Sequence, residues 1–375
     1  MPRIFLSAGE PSGVAIGAQL MHTLRERLSG DVSFAGLGGK AMLDEGLRQI
    51  YDPARTAAMW LWGNLKRIPA HRRALKACIE DWERERPDVV VTIDYQAFHL
   101  FVGKHARARG IPVVHCVGSQ FWARRYYTLE PIRRAYSHVL VIHEFEKAYY
   151  DKAGIPATFI GHPLFERLRP PDPLLLSKLE ALPRPRLGLL PGSRHSEITA
   201  CLPVMLDAAR RLSPRPTLLV SAGRPDSRAF IERHAAGAHV VEFGTAEVLR
   251  SSDVALITSG SASMEAVFYD CPAVVLYRLS PLSYFFAKPH ITCAIAQPNL
   301  VAGRTIVPEF LLPTRSGRPV AAAAQHLLDD ASARDAQRRE FAAIRERLLR
   351  GRKPSEVAAD VVLSYARAQG GSGAR

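Results

Sequence analysis

The sequence is poor in cysteine, and its five cysteines, Cys78, Cys116, Cys201, Cys271 and Cys293, are scattered along the chain. No two of them form a C-x-x-C pair, so neither a zinc site nor a disulfide framework is indicated, and we expect no metal. An odd number of unpaired thiols is typical of a reducing compartment, and we therefore expect the protein to be cytoplasmic.

The chain also lacks long apolar runs and several common binding motifs. No stretch reaches the ~18 apolar residues of a membrane-spanning helix, and residues 1–6 run directly into a strand pattern, without the features of a signal peptide. The loop at 8–13 does not have the G-x-G-x-x-G spacing, which disfavours a nicotinamide enzyme. Zinc fingers, RNP-like aromatic runs and a clear helix-turn-helix are absent, so we expect no nucleic-acid partner.

Positive charge, by contrast, is abundant. The chain has 50 Lys and Arg against 36 Asp and Glu, a formal net charge of +14. This excess favours an anionic partner such as an acidic membrane surface or a phosphorylated substrate, although an arginine-rich genome would also explain it.

Strand-like and helix-like segments alternate along the chain, with one proline-rich interruption. Because 375 residues are too many for one core, we predict an α/β fold of two Rossmann-like, doubly wound domains that face each other across a cleft. The predicted parts are an N-terminal domain at 1–165, a Pro-rich linker at 166–185, a second domain at 186–335, and C-terminal helices at 336–375 that are free to pack back on the first domain.

Two loops in the second half carry the clearest functional signal. The segments 190–194 and 258–265 each follow an apolar strand pattern and lead into a helix pattern. Small side chains let backbone N–H groups approach a phosphate, and a helix N-terminus adds partial positive charge, so the pair suggests a diphosphate held from two sides. An ordinary capped turn is the alternative for each loop. The predicted contacts are Gly192, Ser193, Arg194, Ser259, Gly260, Ser261, Ala262 and Ser263.

Four further polar residues are candidates. Glu265, one turn into its helix, is placed to accept the hydroxyls of a ribose, or is simply favoured there by the helix dipole. Asn299 and Arg304 lie in a polar turn and are candidates for phosphate or sugar recognition, with an ordinary loop as the alternative. His162 is a candidate for a substrate contact or a general base, and a packing role is as plausible.

Two apolar patches lie beside cations. Met59, Trp60 and Trp62 precede a basic segment, and Phe285 lies in the aromatic stretch 281–288. Aromatic side chains beside cations suit a membrane interface or a lipid-binding groove, while core packing is the alternative.

The order of these motifs resembles that of the lipid-A-disaccharide synthases, which are glycosyltransferases of the GT-B arrangement. The resemblance extends from Ser7 to about Leu311. The segments that carry it are 8–13, 93–94, 121–123, 145–148, 159–163, 189–194, 259–265, 277–278 and 298–304.

The resemblance implies an inverting hexosyltransferase that uses neither a metal nor a cofactor. Its donor would be UDP-2,3-diacylglucosamine and its acceptor 2,3-diacylglucosamine 1-phosphate, giving lipid A disaccharide 1-phosphate and UDP. It implies a peripheral place on the inner face of the cytoplasmic membrane and leaves a homodimer open. It also points to Trp122 on the acceptor side and to Glu10 as a catalytic candidate. Ser12 lies in the loop at 8–13, whose place after the first strand suits the lining of an acceptor pocket, while a plain turn with Ser12 as the helix N-cap is the alternative.

The first half departs from the family pattern at three places. The family's I-D-A-P-D-F, whose second Asp is the proposed base, reads I-D-Y-Q-A-F at 93–98, so Ala97 takes that position. Val14 replaces the Asp of the first loop, and 118–125 differs from S-P-S-x-W-A-W-R. Asp94 is then the nearest carboxylate for the base, with a loop-capping role at the strand end as its alternative, and His99 is a weaker candidate. Two alternatives to the disaccharide synthase activity remain open. One is a UDP-sugar glycosyltransferase with another acceptor, and the other is a homologue that binds a UDP-sugar or lipid without turnover.

Overall fold

The structure of the chain is a computed structural model. It describes residues 1–9, 11–51, 68–118, 129–223, 225–291, 293–349 and 351–370. Within these ranges the chain forms two compact units: one contains the residues up to Pro163 together with those from Gly351 onward, and the other contains Leu164 to Leu349.

The first unit is built on a seven-stranded sheet in which every pairing is parallel. Its strands are β1 (Arg3–Ala8), β2 (Ser33–Leu37), β3 (Arg48–Gln49), β4 (Val89–Ile93), β5 (Val113–Cys116), β6 (His138–Val141) and β7 (Ala157–Phe159). Its helices up to this point are α1 (Pro11–Arg27), α2 (Lys40–Asp44), α3 (Ile68–Arg84), α4 (Gln96–Ala108), α5 (Glu130–Ala135) and α6 (Glu144–Lys152). The strand order is β3-β2-β1-β4-β5-β6-β7, so the order reverses between β1 and β4.

Alternate residues of each central strand enter different cores. In β1, Ile4 and Leu6 belong to one buried cluster and Phe5 to the other. β4 behaves in the same way, which explains why it consists almost entirely of Val and Ile: a parallel strand covered on both faces has no solvent side.

The second unit repeats this plan on a six-stranded parallel sheet ordered β10-β9-β8-β11-β12-β13. Its strands are β8 (Arg186–Leu190), β9 (Thr217–Ala222), β10 (His239–Glu242), β11 (Val254–Thr258), β12 (Ala273–Arg278) and β13 (Glu309–Leu312). Its helices are α7 (Pro173–Glu180), α8 (His195–Arg210), α9 (Pro225–His234), α10 (Thr245–Ser251), α11 (Ala262–Phe268), α12 (Pro281–Ala287), α13 (Gln297–Ala302), α14 (Arg318–Asp329) and α15 (Ala331–Leu349). Here the order reverses between β8 and β11.

The last helix, α16 (Pro354–Gly370), packs against α1 of the first unit, where the Thr23 and Ser355 hydroxyls are 2.9 Å apart. Its apolar residues Ala358, Ala359 and Val362 join the core on that face of the first sheet.

Two predicted boundaries differ from the structure. The segment predicted as a linker contains α7, which belongs to the second unit: Asp172 caps it, Pro173 begins it, and Leu179 is buried in the second unit's core. Proline fits the first turn of a helix, so a proline-rich stretch does not by itself exclude one. Residues 336–349 also belong to the second unit, because α15 packs on α11.

Candidate functional site

The two predicted phosphate loops leave the same edge of the second sheet. β8 and β11 are neighbours in parallel register, with Leu190 opposite Ile257, and the loops follow those residues directly. The carboxyl ends of strands at a point where the order reverses are the usual ligand site of an open α/β sheet. The fold therefore brings the two loops side by side at that site.

The first loop is held by a carboxylate of its own helix. The Glu197 side chain accepts hydrogen bonds from the backbone N–H groups of Ser193 and Arg194, at 3.1 and 3.2 Å, and from the Arg194 guanidinium at 3.0 Å. Gly192 has φ +107°, and a Cβ there would lie 2.7 Å from the Glu197 carboxylate. The N–H groups predicted to hold a phosphate thus have an internal anion as their acceptor.

The second loop is open where it passes Gly260. This glycine has φ +148°, and a Cβ placed on it would meet no atom within 4 Å. The hydroxyls of Ser259 and Ser263 donate to the carbonyl oxygens of Ile295 and Gly260, at 2.6 and 2.7 Å. Although both residues are predicted phosphate contacts, their hydroxyl protons are thus directed to the backbone. Ser261 is exposed, and Ala262 begins α11.

Glu265 lies on the first turn of α11 and is half-buried. Burial raises the pKa of its carboxyl to about 7, and the positive charge of Arg167 opposes that shift. Once ionised, the Glu265 carboxylate can accept hydrogen bonds from both hydroxyls of a ribose.

The side-chain amide of Asn299 has a structural role, because it hydrogen-bonds to the protein itself through both its nitrogen and its oxygen. Its buried amide donates to the Val307 carbonyl and the Glu309 carboxylate, both at 2.9 Å, and its oxygen accepts from the N–H groups of Ile306 and Val307. Glu309 in turn accepts from the N–H of Ala296 at 2.9 Å. These bonds fix the segment whose Ile295 carbonyl holds Ser259.

Arg304 was predicted to recognise a phosphate or a sugar, but its guanidinium pairs with the Glu340 carboxylate of α15 at 2.6 Å. Both side chains are partly exposed, so the pair is of the surface type that contributes little to stability. Within the described ranges, the ion pair of Arg304 is therefore with α15 and not with either loop.

The sequence reasoning missed Arg278, the last residue of β12. β12 is the neighbour of β11, and among the described residues the buried Nε of Arg278 has no hydrogen-bond partner. A buried donor without an acceptor at a ligand edge is a candidate anion contact. Its signal in the sequence is the Tyr277-Arg278 pair at the end of a strand-like run.

In the first unit the corresponding reversal point places Ser12 beside Asp94. The Ser12 hydroxyl donates to the Asp94 carboxylate at a long 3.4 Å, and the other Asp94 oxygen accepts from the Tyr95 N–H at 2.8 Å. Asp94 and Tyr95 have φ values of +56° and +43°. Such left-handed conformations are uncommon outside glycine and often mark functional sites.

His99 is not placed to act on a substrate. It is 1% exposed, and burial lowers its pKa to about 4, so it is neutral at pH 7. Its Nδ1 lies 2.6 Å from the Asp94 carbonyl oxygen, which can only accept, so Nε2 accepts from the Ser7 hydroxyl at 2.9 Å. The predicted catalytic role is therefore replaced by a positioning one: His99 holds the strained Asp94 backbone.

Among the remaining acceptor-side predictions, His162 is buried, and its ring centre lies 6.0 Å from that of His143. Glu10, Met59, Trp60, Trp62 and Trp122 lie outside the described residues.

Phe285 lies on an exposed apolar surface of the second unit. Leu282, Phe285 and Phe286 of α12 are 70%, 73% and 63% exposed, and we call these three residues the α12 face. The Lys288 ammonium lies 5.2 Å from the Tyr284 ring centre, and the chain has no Asp or Glu between Asp270 and Glu309. The core alternative is therefore excluded for this patch.

The described ranges hold neither a membrane-spanning helix nor a cluster of metal-ligating side chains. None of the helices there is both long and apolar enough to span a bilayer. Nor does any group of three or more His, Cys, Asp or Glu side chains come together as metal ligands would.

Comparison with known proteins gives consistent matches. The family model for lipid-A-disaccharide synthetase matches residues 4–361. A lipid-A-disaccharide synthase of Koribacter versatilis is 32% identical over 98% of this chain and 99% of that protein, and one of Myxococcus xanthus is 35% identical over 83% and 84%.

Solved structures share the fold at low identity. The glycosyltransferase of kitacinnamycin superposes with a TM-score of 0.62 at 16% identity, covering 97% of this chain and 98% of that one. The Anabaena protein HepE in complex with UDP and glucose gives 0.60 at 13%, covering 97% and 99%. Two parallel-sheet α/β domains of this kind are the GT-B arrangement.

The raised pKa of Glu265 predicts a specific pH dependence of stability. Between pH about 4.5 and about 7 the folded state holds a proton that the unfolded state lacks, so this stabilisation is lost as pH rises through about 7. Glu265→Gln has no carboxyl group to titrate at this position, so the variant does not show this loss of stability. In denaturant titrations at about pH 5 and about pH 8, we expect the free energy of unfolding to fall more for the wild type than for the variant. Glu232→Gln, at a surface pair, is the control; an equal fall in wild type and Glu265→Gln would contradict the assignment.

Proposed function

The chain belongs to the lipid-A-disaccharide synthetase family and is a glycosyltransferase of lipid A biosynthesis, and we propose that it transfers 2,3-diacylglucosamine from UDP-2,3-diacylglucosamine to 2,3-diacylglucosamine 1-phosphate, with inversion. The products are lipid A disaccharide 1-phosphate and UDP. The observation that carries this assignment is the meeting of two glycine-containing loops at the adjacent ends of β8 and β11.

On the donor side, we assign the pyrophosphate to the Arg194 guanidinium and to the start of α11 beside Gly260, and the ribose to Glu265. As the bond from the sugar C1 to the pyrophosphate breaks, negative charge develops on the leaving UDP. A fixed guanidinium and backbone N–H groups stabilise charge best where it develops in the transition state. Arg278, with its buried Nε, is a further candidate for this anion.

On the acceptor side, the 6-hydroxyl attacks C1 and must lose its proton to a base. Ala97 offers none, so we assign this role to Asp94, whose carboxylate is only half-buried and whose backbone is fixed by His99. Ser12, hydrogen-bonded to the same carboxylate, orients it. Loss of a general base typically costs ~10²–10⁴-fold in rate.

The reaction itself is the direct test. The purified protein, given UDP-2,3-diacylglucosamine and 2,3-diacylglucosamine 1-phosphate, should release UDP and disaccharide 1-phosphate in equal amounts. UDP binding without release would favour a homologue without turnover. Release only with a different acceptor would favour another acceptor specificity.

The same assay tests the base. Asp94→Asn should reduce turnover by ~10²-fold or more while UDP affinity stays unchanged, because the amide cannot take the proton. The double variant Asp94→Asn/Ala97→Asp places a carboxylate at the family's usual position and should recover part of the rate. Full turnover of Asp94→Asn would remove Asp94 from the mechanism.

We also propose that the protein binds the inner face of the cytoplasmic membrane peripherally, through the α12 face. Exposed phenylalanines beside Lys288, in a segment without acidic residues, match the chemistry of an anionic lipid interface. Both proposed substrates carry acyl chains, so the enzyme has to reach them at such a surface.

Sedimentation with vesicles of mixed neutral and anionic phospholipid tests this surface. Phe285→Ser/Phe286→Ser should weaken vesicle binding by about tenfold or more, because each buried phenyl ring contributes roughly 1.5–3 kcal/mol. Phe101→Ser is the matched control, since Phe101 is a similarly exposed phenylalanine of the first unit. Equal losses in both variants, or none in either, would contradict the role of the α12 face.

A further inference from the structure

The carboxylate of Glu197 lies where an anion bound by the first loop would be expected. It accepts from two consecutive backbone N–H groups and from one guanidinium nitrogen, which is the donor set expected for a phosphate oxygen. Only 12% of the Glu197 side chain is exposed, against 53% of the Arg194 side chain. The carboxylate therefore lies beneath the loop, and the guanidinium reaches outward from it.

The two oxygens of this carboxylate have different tasks. One oxygen accepts from the N–H groups of Ser193 and Arg194 and so closes the N-terminus of α8. The other oxygen accepts from Arg194 Nη1 and fixes the direction of that side chain. Glycine at 192 is required for this approach, because a Cβ there would press on the first of these oxygens.

We propose that Glu197 is a positioning residue that holds the Arg194 guanidinium ready for the pyrophosphate of a nucleotide sugar. This inference rests on the proposed function. The N–H groups of the first loop bind the internal carboxylate, and the loop's contribution to ligand binding is the fixed Arg194 cation. Fixing a long side chain before the ligand arrives lowers the entropy lost on binding. In the alternative arrangement, the Glu197 carboxylate occupies the phosphate position itself, and the ligand must displace it.

Glu197→Gln separates the two tasks. The amide oxygen can still accept from the loop N–H groups, but the amide NH₂ then faces Arg194 as a second donor, so the loop remains capped and the guanidinium is released. We expect melting temperatures like those of the wild type and UDP affinity that is about tenfold weaker in calorimetric titration. Glu197→Asp, which keeps the charge but is one methylene shorter, should give a similar loss.

A double variant tests whether Glu197 acts through Arg194. If it does, Arg194→Ala/Glu197→Gln should bind UDP no more weakly than Arg194→Ala alone, since the partner is already gone. Glu232→Gln, which breaks the Arg228–Glu232 pair on α9, is the control and should leave UDP affinity unchanged.

Unchanged or tighter UDP binding by Glu197→Gln, or additive losses in the double variant, would overturn the positioning role while leaving the proposed function intact. Failure of the folded wild type to bind UDP would overturn the proposed function itself, and this inference with it.

Discussion

Parallel hydrogen bonding between β8 and β11 sets the place of the two loops to which the donor is assigned. Since Leu190 and Ile257 lie opposite each other, the turns that follow them must leave the sheet together, and the helices α8 and α11 must begin at the same edge. The strands are buried on both faces, so a one-residue slip in register would move each side chain into the opposite core, where it does not fit the packing. Packing on both faces therefore fixes the register of β8 and β11, and with it the place where the two loops leave the sheet.

Carboxylates of the protein itself accept the hydrogen bonds offered at this edge. Glu197 closes the first loop, and Glu309 together with Asn299 fixes the segment that holds Ser259. Residue types that bind phosphate and sugar are also those that bind a protein's own backbone and carboxylates. A polar residue near such a loop is therefore as readily a support as a contact.

The fold and the position of the two loops follow from the sequence, because strand periodicity, loop composition and parallel topology are local signals with few global solutions. The partners of the polar side chains do not follow in the same way. The pairing of Arg304 with Glu340 and the contact of His99 with Ser7 depend on tertiary contacts. Glu197 had a local signal, a carboxylate at the third position of a helix, which is the usual mark of a capping box. The prolines of 166–185 obscured the helix α7, although one of them, Pro173, begins it.

Amide hydrogen exchange with and without UDP tests most directly whether the ends of β8 and β11 hold the nucleotide. Saturating UDP should slow exchange most in the peptide that covers residues 258–265. Peptides from the sheet of the first unit should change little. Unchanged exchange at 258–265 under saturating UDP, or slowing confined to the first unit, would contradict the placement of the donor.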